Sequence, residues 1–397
     1  MWPKIKYEVY DWSRSAEDFM LIPKTKRRKI TPSYQAAVPA TISNVNAEVS
    51  SELALRLADV RVAITRFDQR QSSRGYNLPA LILRSESSSS SQIERLTSSV
   101  RNVALADITD KSPSNARLIA GNVAAMRAAL AQTGPITINA ICQIHDTLLS
   151  NSDEKLGLRD EQVWIGGTPF SPHGALFVPP HASIVKECLQ DLIAFSERDD
   201  IESLVKTAIF HAQFETIHPF TDGNGRTGRA LLHRVLARDE VLLCSTLPIS
   251  AGLLHNTNAY MAALESYHEG EIEPIVTSLA DALELGVVIG TSISSEIDAI
   301  LDRWNTSITA RKGSSAHRLS TVLVEQPVVD VAYVARKLGI SDRAARNLVQ
   351  TACEKEILAK MGNAQRGAFY QAPELLDVLE KASSVPGIRR IASGNQR

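Results

Sequence analysis

The chain has 397 residues, 44% of them hydrophobic and 22% charged, and a formal net charge of −1, the profile of an ordinary soluble protein with enough apolar mass for sizeable cores. Its four cysteines, Cys142, Cys188, Cys244 and Cys353, are widely separated with no CxxC or Cys/His spacing, so neither a disulfide framework nor a zinc site is suggested, and a reducing cytoplasm fits. The opening "MWPKIKYEVYDWSR" mixes charges as a signal peptide does not, and no run approaches the ~20 apolar residues that span a bilayer, so no membrane partner is expected.

At this length two to three domains are expected. An irregular arm comes first, and its basic run "KTKRRK" (24–29) reads as a solvated patch with no assigned role. From "NAEVSSELALRLADVRVAITRFDQR" (46–70) onward, apolar residues recur every three or four positions, the spacing of amphipathic helices. "SESSSSSQIERL" (85–96) has the composition of a flexible linker, although an isoleucine and a glutamate stand at its end before another helical pattern. Further helices are predicted at "NARLIAGNVAAMRAALAQ", then, after the Gly134-Pro135 break, at "TINAICQIHDTLLS" with Thr137 as cap. The segment "VWIGGTPFSPHGALFVPP" (163–180) departs from this pattern: β-prone residues flank a Gly, Pro and Ser-rich turn, as in a short hairpin. Helices resume at "HASIVKECLQDLIAFSER" and "DIESLVKTAIFHAQFETI" and continue at "RALLHRVLARDEVL".

Between the last two helices lies "HPFTDGNGRTGR" (218–229), which holds three of the chain's 20 glycines. Gly223, Asn224 and Gly225 permit positive φ, so successive amides can point into one concavity at the N-terminus of the next helix, a cradle for phosphate. Arg226 and Arg229, three apart on the first turn, can reach a polyphosphate through charge-assisted hydrogen bonds. Asp222 offers the hard oxygen that Mg²⁺ takes alongside phosphate and water. His218 titrates near neutral pH and can remove a proton from a hydroxyl. Each feature alone is ordinary; together they assemble a base, a metal ligand, an anion nest and two cations in one turn.

The segment resembles the Fic signature, HxFx(D/E)GNGRxxR, at every defined position, and the likeness extends through 163–180, "HAQFETIHPF" and "PISAGLL" over residues ~50–300. The resemblance implies a mainly α-helical Fic core that transfers AMP from ATP to a Ser, Thr or Tyr hydroxyl of a target protein. His218 would be the base, Asp222 would hold Mg²⁺, and the amides of Gly223, Asn224 and Gly225, with the Asn224 side chain, would cradle phosphates. Arg226 would steady the transferred or leaving phosphates and Arg229 would bind the γ-phosphate, while Phe220, Phe214 and Ile217 would pack into the core. The hairpin at 165–178 would be the flap on which the target lies as an added strand. The serine run then fits the family's inhibitory pattern, (S/T)xxxE(G/N), with Ser90 and Glu94, whose carboxylate would compete with the γ-phosphate for Arg229. Residue 95 departs from it, being Arg where the pattern has Gly or Asn.

Residues 303–397 carry 15 Lys and Arg against 8 Asp and Glu, a local +7 that leaves −8 for the rest. There "DVAYVARKLGISDRAARNLVQTACEKEIL" (330–358) reads as helix, turn at Gly339, and a second helix capped by Ser341, followed by a two-stranded wing at "AKMGNAQRGAFYQ". Arg343 and Arg346 lie early on the second helix, where DNA contacts through 330–370 would be made. Winged helices also dock proteins or dimerise, so DNA, a protein partner and a homodimer all stay open.

The expectation is thus an arm and helical regulatory region (1–110), a Fic catalytic core (111–300) and a winged helix (301–397), acting in the cytoplasm as an ATP- and Mg²⁺-dependent protein adenylyltransferase. The alternatives are a DNA-binding regulator whose Fic body senses nucleotide, and a Fic enzyme that transfers another phosphate-linked group or removes AMP.

Overall fold

The helical spacing that begins near residue 46 builds a mainly α-helical protein. In this computed structural model, residues 2–12, 22–28, 30–308, 313–362 and 367–394 are described. The arm is more regular than its sequence implied: β1 (Lys6–Asp11) and β2 (Ser33–Val38) pair antiparallel from Lys6↔Val38 to Asp11↔Ser33. Between them α1 (Lys24–Arg27) takes up most of the basic run, of which Lys29 lies outside the described residues. The pairing partner sits some twenty-five residues away, so no local pattern signals it.

Next comes α2 (Ser51–Ser72), which buries Leu53, Leu57, Val60, Ile64 and Phe67 at alternating four- and three-residue steps. The serine run is no linker. It forms the second half of α3 (Leu78–Ile93), in which every residue from Leu78 to Ser91 except Pro79 is buried. Asn77 caps this helix by accepting from the Ala80 amide, and Pro79 sits in its first turn, where its missing N–H costs nothing. Composition misleads here because serine, small enough to fit where helices approach closely, is also the residue of flexible chain.

The body continues with α4 (Val100–Ala106), α5 (Ser114–Ala131), α6 (Ile138–Leu148, with Thr137 accepting from the Ala140 amide), α7 (Val185–Ser196) and α8 (Ser203–Ile217). Then come α9 (Asn224–Arg238), α10 (Ile249–His255), α11 (Thr257–His268) and α12 (Glu273–Ser307). The expected boundary at 110/111 falls between α4 and α5, whereas the one at 300/301 lies inside α12, which runs unbroken to Ser307. By length and composition α12 is apolar enough to cross a bilayer, contrary to the reading that no run approaches this; it packs against α2, α8, α10 and α11, with half of that stretch buried.

The C-terminal part runs α13 (Ser315–Glu325), β3 (Val328–Asp330), α14 (Val331–Leu338), α15 (Asp342–Glu354), β4 (Ala359–Met361), β5 (Phe369–Gln371), α16 (Pro373–Ser383) and α17 (Val385–Gly394). The three strands form one antiparallel sheet in the order β3-β5-β4. Gly339 takes φ 65° at the turn between α14 and α15, and the Ser341 hydroxyl accepts from the Ala344 amide. The tip of the β4–β5 hairpin, 363–366, lies outside the described residues.

One apolar core reaches from Trp2 to Ile388 and joins all these parts. Within it α3 is central: it packs against α5, α9 and α10 on one side and α13 and α16 on the other. Its hold on the C-terminal part is polar as well. The buried Arg84 side chain donates to the Glu325 carbonyl at 2.7 Å, to Asp107 Oδ2 at 2.6 Å and to Gln326 Oε1, while Gln92 Nε2 donates to the Ser383 carbonyl at 2.8 Å.

Candidate active site

α8 cannot continue past His218 because Pro219 follows it. His218 therefore closes the helix in the left-handed region (φ 49°, ψ 62°), its amide donating to the Phe214 carbonyl. The loop from here to α9 is held by side chains rather than by regular structure. The Asn224 amide group closes it on itself, with Oδ1 accepting from the Phe220 amide and Nδ2 donating to the Phe220 carbonyl, both at 2.8 Å. The Asn224 side chain thus holds the loop with Oδ1 and one Nδ2 hydrogen, which leaves its second Nδ2 hydrogen and its backbone amide for the expected phosphate contact. His145 on α6 stacks on Phe220 at 3.7 Å, and its Nε2 lies 3.1 Å from the Asp222 carbonyl.

Gly223 enters α9 at φ 76°, and a Cβ there would press on Leu148 Cδ2. The amides of the first turn of α9 then have no helical carbonyl to bind, the condition for an anion site. Phe214, Ile217 and Phe220 are fully buried beneath.

Arg226 and Arg229 rise from this turn, both buried, and meet the C-terminal end of α3. Arg229 Nε donates to the Ser90 hydroxyl and its Nη2 to the Ser90 carbonyl, each at 2.8 Å; Nη2 also reaches Glu94 Oε1 at 2.7 Å. Arg226 takes the other carboxylate oxygen, Nε to Glu94 Oε2 at 2.9 Å, and bonds Asp222 Oδ2 through Nη2 at 3.0 Å. One carboxylate thus bridges both arginines, and its side chain is 29% exposed. Gly225 makes room for this pairing, since a Cβ there would collide with Glu94 Oε1 and Arg229 Nη1.

α3 ends immediately beyond. The amide of Arg95 donates to the Gln92 carbonyl and that of Leu96 to Ser91, both at 2.9 Å, and Arg95 adopts φ 62°. This is the Schellman closure, whose left-handed position favours glycine or asparagine. Arg95 therefore departs at a position governed by backbone geometry, and its side chain is exposed to solvent.

Burial, followed by the nearby charge of Arg159, pushes the His218 imidazole down to about 4, so it is neutral and able to accept a proton at physiological pH. For Arg229, burial opposes the charge but Glu94, Tyr260 and Glu215 overcome it and raise the pKa. Beneath Arg229 sits a set of groups that sequence reasoning did not single out. Burial pushes Glu215 up to about 7 against the pull of Arg229, and His211, whose Nε2 lies 2.8 Å from the Tyr260 hydroxyl, goes down to about 3. Glu215 stands inside the quoted "HAQFETIHPF", and His145 inside a quoted helix. Arg159, which bonds the carbonyl of His218, lay in no motif.

The expected flap is a minimal hairpin. The Ile165 amide donates to Phe177 and the Leu176 amide to Ile165, each at 2.8 Å, and Leu176 is 87% exposed. β2 lies alongside it, the Ala37 amide donating to the Val178 carbonyl at 2.9 Å. Arg343 and Arg346 are exposed on the opening turns of α15.

Residues 135–236 match the Fic/DOC family. They contain the whole loop just described. Over these residues the chain is similar to the Fic family. It is similar to a protein adenylyltransferase of Caenorhabditis elegans, 29% identical over 192 residues, covering 46% of this chain and 34% of that protein. The protein adenylyltransferase Fic of Drosophila willistoni is 29% identical over 161 residues, 40% of this chain and 30% of that protein. The chain therefore spans about a third of the length of these curated relatives. The crystal structure of a Fic family protein from Desulfovibrio desulfuricans G20 shares the fold at a TM-score of 0.55 with 20% identity, covering 82% of this chain and 97% of that one. The α8–α9 loop lies wholly within the matched residues, and the end of α3, which precedes them, meets it through Ser90 and Glu94.

Proposed function

We propose that this protein is an adenylyltransferase that moves AMP from ATP to a Ser, Thr or Tyr hydroxyl of a target protein and is held inactive by Glu94. The observation that carries this reading is the bridge that Glu94 makes between Arg226 and Arg229, on the same loop as a half-buried, neutral His218. A γ-phosphate and the Glu94 carboxylate are anions that require the same guanidinium, so one excludes the other. With Glu94 displaced, Arg229 would take the γ-phosphate, Arg226 and the first-turn amides of α9 the phosphates nearer the acceptor, and His218 Nε2 the acceptor's hydroxyl proton. A target segment would lie along the flap at 165–178 as an added strand.

Asp222, half-exposed at the mouth of the loop, offers a single hard carboxylate oxygen of the kind Mg²⁺ takes together with phosphate oxygens and water. Mg²⁺ bound there would neutralise charge on the phosphates.

The C-terminal part we read as a winged helix, on the order of its helices and its three-stranded sheet. Contact of Arg343 and Arg346 with DNA is the second reading, favoured by their exposure opposite the buried Ala345 and Val349. A DNA affinity that falls steeply with salt would support it.

The test uses ATP labelled at the α-phosphate in parallel with ATP labelled at the γ-phosphate, with Mg²⁺, on the wild type, Glu94→Gly and Glu94→Gly/His218→Ala. Label from the α-position alone, increased in Glu94→Gly and lost with His218, is the expected result. Label from the γ-position would mean phosphate transfer instead, and no label on this chain or on lysate proteins would favour a nucleotide-sensing DNA-binding regulator.

A further inference from the structure

Arg159 is 3% exposed, yet each of the four side-chain hydrogen bonds it makes goes to a backbone carbonyl. Nε donates to His218 at 2.8 Å, Nη2 to Pro180 at 2.5 Å and to Ile217 at 3.4 Å, and Nη1 to Glu161 at 3.1 Å. Its own amide donates to Pro219 at 3.0 Å. A buried guanidinium ordinarily sits against a carboxylate. This one instead gathers three pieces of chain that regular structure does not join. Glu161 leads into the first arm of the flap, four residues before Ile165; Pro180 leaves the second arm, three residues after Phe177; Ile217, His218 and Pro219 are the end of α8 and the start of the motif loop.

We propose that Arg159 is a positioning residue for group transfer: it clips both arms of the flap to the loop that carries His218, and so fixes how far an acceptor on the flap lies from the imidazole. The inference rests on the adenylyltransferase reading. The clip is built of things that move separately without it. The flap has only two isolated bridges of its own, Ile165↔Phe177 and Thr168↔Ser171, and beyond the left-handed closure of α8 at His218 no regular structure holds the loop against the flap. Only a planar fork with donors on three nitrogens can meet carbonyls arriving from three directions; an ammonium at the end of a flexible stem cannot hold all of them. Burial lowers the guanidinium to about 10, which leaves it charged under working conditions, and each carbonyl receives a charge-assisted bond. The phosphate cradle is held by different groups, Asn224 and His145, so ATP binding and acceptor placement are separable.

That separation is what the experiment reads. Arg159→Lys and Arg159→Met are made in the Glu94→Gly background and compared with Glu94→Gly alone. The measurements are ATP affinity by calorimetry, transfer of α-label at saturating ATP, and backbone hydrogen exchange. The expected result is a transfer rate lower by about 10- to 100-fold at saturating ATP, in line with an ångström-scale misplacement, with ATP affinity unchanged within about twofold. Exchange should quicken in 160–180 and at 217–220 and stay unchanged in α9. Arg159→Lys should recover part of the rate relative to Arg159→Met. The proposal is overturned if rate and ATP affinity fall together, if exchange quickens equally in α9, or if neither variant alters transfer. Should Glu94→Gly itself transfer no AMP, the adenylyltransferase reading has failed; the exchange pattern of the flap against α9 then still decides whether the clip exists.

Discussion

Arg229 binds the end of α3 through two residues one helical turn apart, taking the hydroxyl and carbonyl of Ser90 with Nε and Nη2 and the carboxylate of Glu94 with Nη2. Inhibition by Glu94 would therefore depend on the backbone of α3 staying helical to its last turn, because the helix alone brings residues 90 and 94 onto one face.

Ser90→Ala should weaken that hold without touching the carboxylate. It leaves the buried Nε of Arg229 unpaired, at a cost of about 1–3 kcal/mol, against a gain in helix propensity of a few tenths. Basal AMP transfer should rise severalfold, less than in Glu94→Gly. A rate equal to wild type would mean that the Ser90 hydroxyl adds nothing to the hold of Glu94 and the residue-90 carbonyl on Arg229.

Arg95→Gly should act in the opposite direction. Relief of the left-handed strain at φ 62° is expected to stabilise the end of α3 by about 1 kcal/mol, and basal transfer should fall below that of the wild type. Hydrogen exchange at Glu94 and Leu96 measures the tightening directly; faster exchange there would contradict it.

Arg84→Met should release the other end of the serine segment. It unties α3 from Glu325, Gln326 and Asp107 and strands a half-buried carboxylate, which should cost about 3–5 kcal/mol of stability. If the C-terminal part restrains α3, transfer by the folded variant rises and exchange quickens across 85–94. Destabilisation with transfer unchanged would confine Arg84 to holding the fold.

His218 should titrate near pH 4, observable through its ring protons by NMR, with Glu94→Gly/His218→Ala to assign the signal. Its folded pKa lies below the usual 6.5, so the stability linked to it is fully present above pH 6.5 and is lost as pH falls through about 4. His211 and His268, lowered by burial to about 3 and 4, act in the same direction. Glu215 is raised to about 7, so its contribution is present below its usual value of 4.5 and lost as pH rises through 7. With three groups against one, thermal stability should decline between pH 6.5 and 4; a rise across that range would be inconsistent with neutral buried histidines.

The motif loop was legible in the sequence because its chemistry is contiguous: base, acid, glycines and arginines fall within twelve positions and share one turn. The helices were legible through their spacing, and the caps at Thr137 and Ser341 through their residue type. Three things were not. The β1–β2 hairpin pairs residues across an intervening segment with no turn signal. By composition alone the serine run reads as linker; only the likeness of Ser90 and Glu94 to the inhibitory pattern set it apart, and its burial appears once its neighbours are placed around it. Arg159 makes its bonds to carbonyls, which every residue possesses, so nothing in the identity of its partners announces the contact. What sequence could not reach was therefore long-range pairing through groups that carry no residue-specific mark.

The two halves of α3 are unlike in substance. Leu78, Leu81, Ile82 and Leu83 lock its beginning into oil, whereas four of the buried hydroxyls beyond, those of Ser85, Ser87, Ser88 and Ser89, find no hydrogen-bond partner among the described residues. Such hydroxyls are poorer off inside than in water. If the end of α3 does hold Arg229 shut, wetting of these hydroxyls would favour its release, and α3 would act as a latch whose hinge side is greasy and whose free side dissolves when lifted.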